Sequence, residues 1–160
     1  MEITNDFKSR IKENEGSKSF QIHLGTFRNQ RYHLYRCTAG KLTVGFGHNC
    51  EAEIQKNPKA YMNGITEQEA EQLLEMDIEK AIKQADYYFQ ISKHPQAVQE
   101  VIIEMIFQLG IATALKFKKF KAHLDAKRYK EAANELLDSN WFKQTPQRVQ
   151  QHVAVLRIQQ

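Results

Sequence analysis

Only two cysteines, Cys37 and Cys50, occur among the 160 residues. That number is too small for a disulfide-built scaffold, and neither cysteine has the His/Cys company and spacing of a zinc site. Glycine and proline are also scarce, at seven and three, and no internal repeat or low-complexity tract is visible. No apolar run is long enough to cross a membrane. The opening residues, MEITNDFKSRIKENEG, lack the apolar core of a signal peptide, which predicts synthesis in a cytoplasm, with action elsewhere depending on release or delivery. Carboxylates are missing altogether between Gly16 and Cys50, so any acid serving that stretch comes from Glu15 or from residues distant in sequence.

What is present is ordinary for a globular protein: 41% apolar, 26% charged and 10% aromatic residues. The length suffices for one domain, or for two small lobes sharing a helix. Twenty-three basic against 19 acidic residues give a net charge of +4, which suits nucleic acid, an anionic cell wall or an anionic membrane alike. No nucleic-acid recognition motif stands out. The basic runs Lys116-Lys118-Lys119-Lys121 and Lys127-Arg128-Lys130 read as solvated faces or as attraction to anionic envelope polymers.

Along the chain, Phe7 and Ile11 stand four apart in NDFKSRIKENE, which predicts a short amphipathic helix capped by Asn5 or Asp6 and stopped by Gly16. Glu15 then lies at a helix C-terminus, where the dipole disfavours a negative charge and favours an acid that keeps its proton. Apolar and polar residues alternate in SFQIHL, Ser19 to Leu24, and predict a half-buried strand, with Arg31–Cys37 returning as its hairpin partner and Lys41–Gly47 as a third strand. Residues 49–63 read as an irregular connection. Thr66 and Glu69 form a capping box, with Ile65 and Ala70 as its staple, and open the longest helix of the chain. Residues 96–109 predict a buried helix ended by Gly110, short helices follow at 113–125 and 128–138, and Thr145-Pro146 starts the last one.

The stretch YRCTAGKLTVGFGH at 35–48, together with Glu15-Gly16, is where chemistry concentrates. Strand alternation puts Leu42, Val44 and Phe46 on one face and Thr43 on the other, toward a cleft. These motifs, with ITEQEAEQLLEMD at 65–77, MIFQLG at 105–110, KRYKEAANEL at 127–136 and WFKQTPQRV at 141–149, resemble in order and content the lysozymes of the T-even phages and their relatives. The likeness runs from Glu15 to about Arg157.

It implies an α+β fold: a small antiparallel-sheet lobe over about 12–65, a connecting helix over about 66–89, and a helical lobe over about 93–160 on which helix 1–15 packs. It also implies a muramidase cutting the linkage between N-acetylmuramic acid and N-acetylglucosamine in bacterial peptidoglycan. Such an enzyme needs no cofactor or metal, acts as a monomer without nucleic acid, and works on the wall after release or delivery. Carried over by position, Glu15 is the general acid, Thr43 holds the attacking water, and Arg148 pairs with Glu15. Phe107, Arg148 and Asn49 meet the substrate, and His48 with Asp77 is a structural ion pair.

Two departures stand out. Cys37 occupies the position where most of the family has aspartate, five residues before Thr43. Its thiol can share a water with Thr43, giving inversion, or act as a thiolate that stabilises or attacks the sugar; we favour the water. The connection from Glu15 to Cys37 is also longer than the family's. It offers Lys18, Phe27, Arg28, Arg31, Tyr32 and His33 either as an added cleft wall or as a solvated hairpin. The rival reading is a lysozyme-like domain that has lost turnover and binds wall glycan or a protein partner. Cys37 and Cys50 flank the central strand, which raises a regulatory disulfide as a further expectation.

Overall fold

The computed structural model describes residues 2–159, a mostly helical chain with two small antiparallel sheets. It divides into two compact units, one of Ile3–Glu79 and one from Lys80 onward, the division falling within a single long helix. Among the described residues no helix is long and apolar enough to cross a membrane.

In the first unit, α1 (Asn5–Glu15) buries Phe7 and Ile11 as their spacing requires. Its cap is Thr4, not Asn5 or Asp6: the Thr4 hydroxyl accepts the Phe7 N–H at 3.1 Å. Gly16 ends the helix at φ +132° and donates its N–H to Lys12 O.

The expected strand at Ser19–Leu24 is a helix instead, α2 (Lys18–Leu24), with Ser17 as cap and Gly25 in the left-handed region behind it. The alternation misleads because it is inverted. Phe20, Ile22 and Leu24 are 52%, 54% and 51% exposed, while Gln21 is completely buried.

The first hairpin is accordingly shorter than expected: β1 (Phe27–Arg28) pairs with β2 (Arg31–Tyr32) across Asn29 and Gln30, both at positive φ as a tight hairpin turn demands. Tyr32 seals it, packing on Phe27 and Phe46, exchanging backbone bonds with Ile65, and donating its phenol to Glu67.

The second sheet has the order β3 (Tyr35–Arg36), β4 (Leu42–Val44), β5 (His48–Asn49). The 49–63 connection contains another unforeseen helix, α3 (Glu51–Lys56). The capping box opens α4 (Glu67–Phe89) as expected: Thr66 N–H and hydroxyl both reach Glu69 Oε1, at 3.1 and 3.0 Å, and Glu69 N–H returns to Thr66 Oγ1. Lys8 pairs with Glu71 and Glu75, and Lys12 with Glu71, fastening α1 to this helix.

In the second unit, α5 (Gln96–Leu109) buries Val98, Val101, Ile102, Ile103, Met105 and Ile106, with Glu104 among them, and stops at Gly110. Around it come α6 (Ile111–Ala114), α7 (Lys118–Asp125), α8 (Tyr129–Leu137), α9 (Asn140–Gln144) and α10 (Pro146–Arg157). Trp141 anchors them: its indole N–H donates to Gln108 Oε1 at 2.9 Å, and its ring packs on Phe117 and His152.

Candidate active site

The register of the second sheet decides which side chains share a face. Tyr35 lies opposite Thr43, and Thr43 opposite Asn49, so these three form a row across the sheet; Cys37, two residues beyond Tyr35, extends the same face. Leu42 pairs with Arg36 on one side and with Cys50 on the other, through the Cys50 N–H to Leu42 O bond, and points the opposite way.

The sheet therefore separates the two cysteines onto opposite faces, with β4 between their strands. Two strand spacings amount to roughly 9–10 Å, beyond the ~4.4–6.8 Å that a disulfide spans between α-carbons. Both thiols are free, and the expected regulatory disulfide is not compatible with this register.

Thr43 is buried, as is Val44 behind it, so β4 is covered on both faces rather than on one. The Thr43 hydroxyl donates to Lys41 O at 2.9 Å, and the Cys37 N–H donates to the same carbonyl at 3.0 Å. Lys41 O thus couples the backbone of one candidate to the side chain of the other. The hydroxyl has a single proton, already committed, so toward a third group Thr43 can act only as an acceptor.

Glu15 reaches this sheet from the end of α1. Its side chain lies against Gly47, where an added Cβ would come within 2.9 Å of Glu15 Cβ and 3.5 Å of Oε2 at a φ of +85°. Only glycine permits that approach. The Tyr35 phenol donates to the Glu15 backbone carbonyl at 3.4 Å. Burial first, then the Glu15 and Cys37 charges, raise the Tyr35 pKa far above its ordinary value, so the phenol keeps its proton.

His48 has both ring nitrogens engaged by carboxylates: Nδ1 to Asp77 at 2.8 Å and Nε2 to Glu53 at 2.8 Å. Burial alone would lower its pKa, but Asp77 and then Glu53 outweigh it and the net shift is upward. Glu53 also accepts from the Tyr61 phenol, and its own pKa is lowered: burial opposes the shift, but Tyr61 and His48 prevail. Neither nitrogen is free for proton transfer, and the two contacts tie β5 to α4 and α3. Glu53 and Tyr61 are partners that sequence reasoning misses, because residues 49–63 read as an irregular connection.

Asn49 is exposed on the Thr43 face, its amide oxygen accepting the Glu51 N–H at 3.1 Å. Phe107 and Arg148 belong to the other compact unit, half-buried near the end of α5 and in the first turn of α10. The structure thus gathers Glu15, Cys37, Thr43, Asn49, His48 and Asp77 within one unit.

The family model for phage lysozyme matches residues 25–156, a span that contains every candidate but Glu15. The chain is also similar to Probable T4-type lysozyme 1 of Dictyostelium discoideum, 27% identical over 174 aligned residues that cover 96% of this chain and 95% of that protein. So little of the chain lies outside that alignment that Glu15 falls within its span. Probable T4-type lysozyme 2 of the same organism is 28% identical over 149 residues, covering 90% of this chain and 82% of the relative.

Proposed function

Because the chain belongs to the phage lysozyme family, and with it to the glycoside hydrolases, we propose that it is a muramidase cleaving the β-1,4 linkage between N-acetylmuramic acid and N-acetylglucosamine in bacterial peptidoglycan. The observation that supports this most is the placement of Glu15 against Gly47, beside the sheet whose one face carries Cys37 and Thr43. Glycosidic cleavage needs a carboxylic acid to protonate the departing oxygen and a second group to handle the nucleophile. Glu15 supplies the first. Thr43, its proton held by Lys41 O, accepts a hydrogen bond from the attacking water and orients that water's lone pair toward the sugar, the water's proton leaving to solvent as the bond to the anomeric carbon forms. Cys37 shares that water in place of the missing second carboxylate, which leads to inversion at the anomeric carbon.

Synthesis in a cytoplasm, followed by release or delivery to the wall, is the setting this reading implies, with the enzyme working as a monomer. The test is release of reducing ends from purified sacculi. Glu15→Gln should lower it by ~10²–10⁴-fold, the usual contribution of a general acid, with an unchanged circular-dichroism spectrum. A Glu15→Gln variant that keeps wild-type turnover would refute the assignment. A wild-type protein that binds sacculi without cutting them would establish the rival reading of a glycan-binding domain, which Cys37 at the aspartate position favours.

A further inference from the structure

Gln21 is the one completely buried residue of α2, on a helix whose apolar side chains face outward. Its amide nitrogen donates to two backbone carbonyls, Gly16 O at 2.9 Å and Gly45 O at 2.8 Å. Two carbonyl acceptors require the NH₂ end of the amide there, which fixes its orientation. The other end is held as well: the Thr26 hydroxyl donates to Gln21 Oε1 at 3.4 Å, while the Thr26 N–H donates to the main-chain carbonyl of Gln21 at 2.9 Å.

The two carbonyls are not arbitrary. Gly16 directly follows Glu15, and Gly45 stands midway between Thr43 and Gly47, the residue against which the Glu15 side chain lies. Both glycines have positive φ, +132° and +66°, conformations that turn their carbonyls out of the helix and the strand. A single amide therefore joins the turn that ends the acid's helix to the turn that ends Thr43's strand.

We propose that Gln21 is a positioning residue for the acid, setting the separation of Glu15 from the Cys37–Thr43 face. This rests on the reading of Glu15 as the general acid. Displacing a reacting group by about 1 Å costs on the order of 10²-fold in rate, so loss of the clamp is a loss in kcat. Binding of the glycan, which does not use Gln21, stays nearly constant.

The experiment compares wild type, Glu15→Gln, Gln21→Leu and Gln21→Asn on soluble glycan-strand fragments, with kcat, KM and their pH profiles measured beside thermal unfolding. Gln21→Leu matches the volume and removes both donors; it should lower kcat by roughly 10- to 100-fold with KM within about twofold, and shift the limb of the pH profile that reports the acid. Gln21→Asn keeps the donors on a shorter arm and should fall between Gln21→Leu and wild type. Folded variants with wild-type kcat, or a loss confined to KM, would overturn the inference. So would loss of the fold in both variants, which would make Gln21 purely structural. If Glu15→Gln is inactive while the Gln21 variants keep wild-type kcat, only this inference fails; an active Glu15→Gln removes both it and the assignment of the acid.

Discussion

His48 shows how one side chain's titration becomes a property of the fold. Its imidazolium is held by Asp77 and Glu53, and its pKa is raised in the folded state. A raised pKa means that this contribution to stability is complete below the unfolded value of about 6.5 and disappears as pH climbs through the folded value. Glu53 sets the acid side: its pKa is lowered, so its contribution is complete above the unfolded glutamate value of about 4.3 and is lost as pH falls through the folded value. His48→Gln should therefore unfold several degrees below wild type near pH 5.5, and the gap should narrow steadily toward alkaline pH. A gap that is constant from pH 5 to 9 would rule out the charged pair. Asp77 was legible in the sequence as His48's partner through family likeness, whereas Glu53 and Tyr61 were not, because nothing in residues 49–63 marks which polar groups turn inward. Gln21 escaped for a sharper reason. Its burial depends on two carbonyls set by glycines 5 and 24 positions away, which no local pattern encodes.

Among the elements, those with strong helical periodicity and end signals could be read directly. Thr66 and Glu69 announced α4, and Gly110 the end of α5, since capping and stop signals are local chemistry that tertiary packing leaves in place. Thr66→Ala removes the hydroxyl that caps the Glu69 N–H and should cost about 1 kcal/mol, or roughly 2–4 °C in unfolding midpoint for a chain of this size. Thr66→Ser should restore most of it; equal midpoints for alanine and serine would remove the cap from the account. The short elements were harder. In α2 a strand-like alternation of six residues lost to Ser17 and Gly25, a cap and a stop that bracket a helix, and α3, α6 and α9, each six residues or fewer, carry too few positions to establish a period.

At the level of the whole molecule, family and fold class were legible because motifs spread over most of the chain keep their order, and the matched span of 25–156 reflects that order. The division into compact units is a matter of long-range contacts, which spacing alone does not contain. The same holds for the two thiols, whose separation depends on strand register. Cys50 is buried, its thiol 3.5 Å from Leu42 O, and burial followed by the Glu53 charge pushes its pKa up to about 11; Cys37 is only partly covered, on the face with Thr43. An alkylating reagent at neutral pH should consequently take one equivalent per folded chain, at Cys37, and hydrolysis should decline in step with its uptake; two equivalents reacting at one rate would contradict the register. On the proposed reading, a single addressable thiol beside Thr43 lets competent molecules be counted by the label that stops them: the equivalents taken up when hydrolysis ceases give the number of competent molecules in a preparation, without any engineered cysteine.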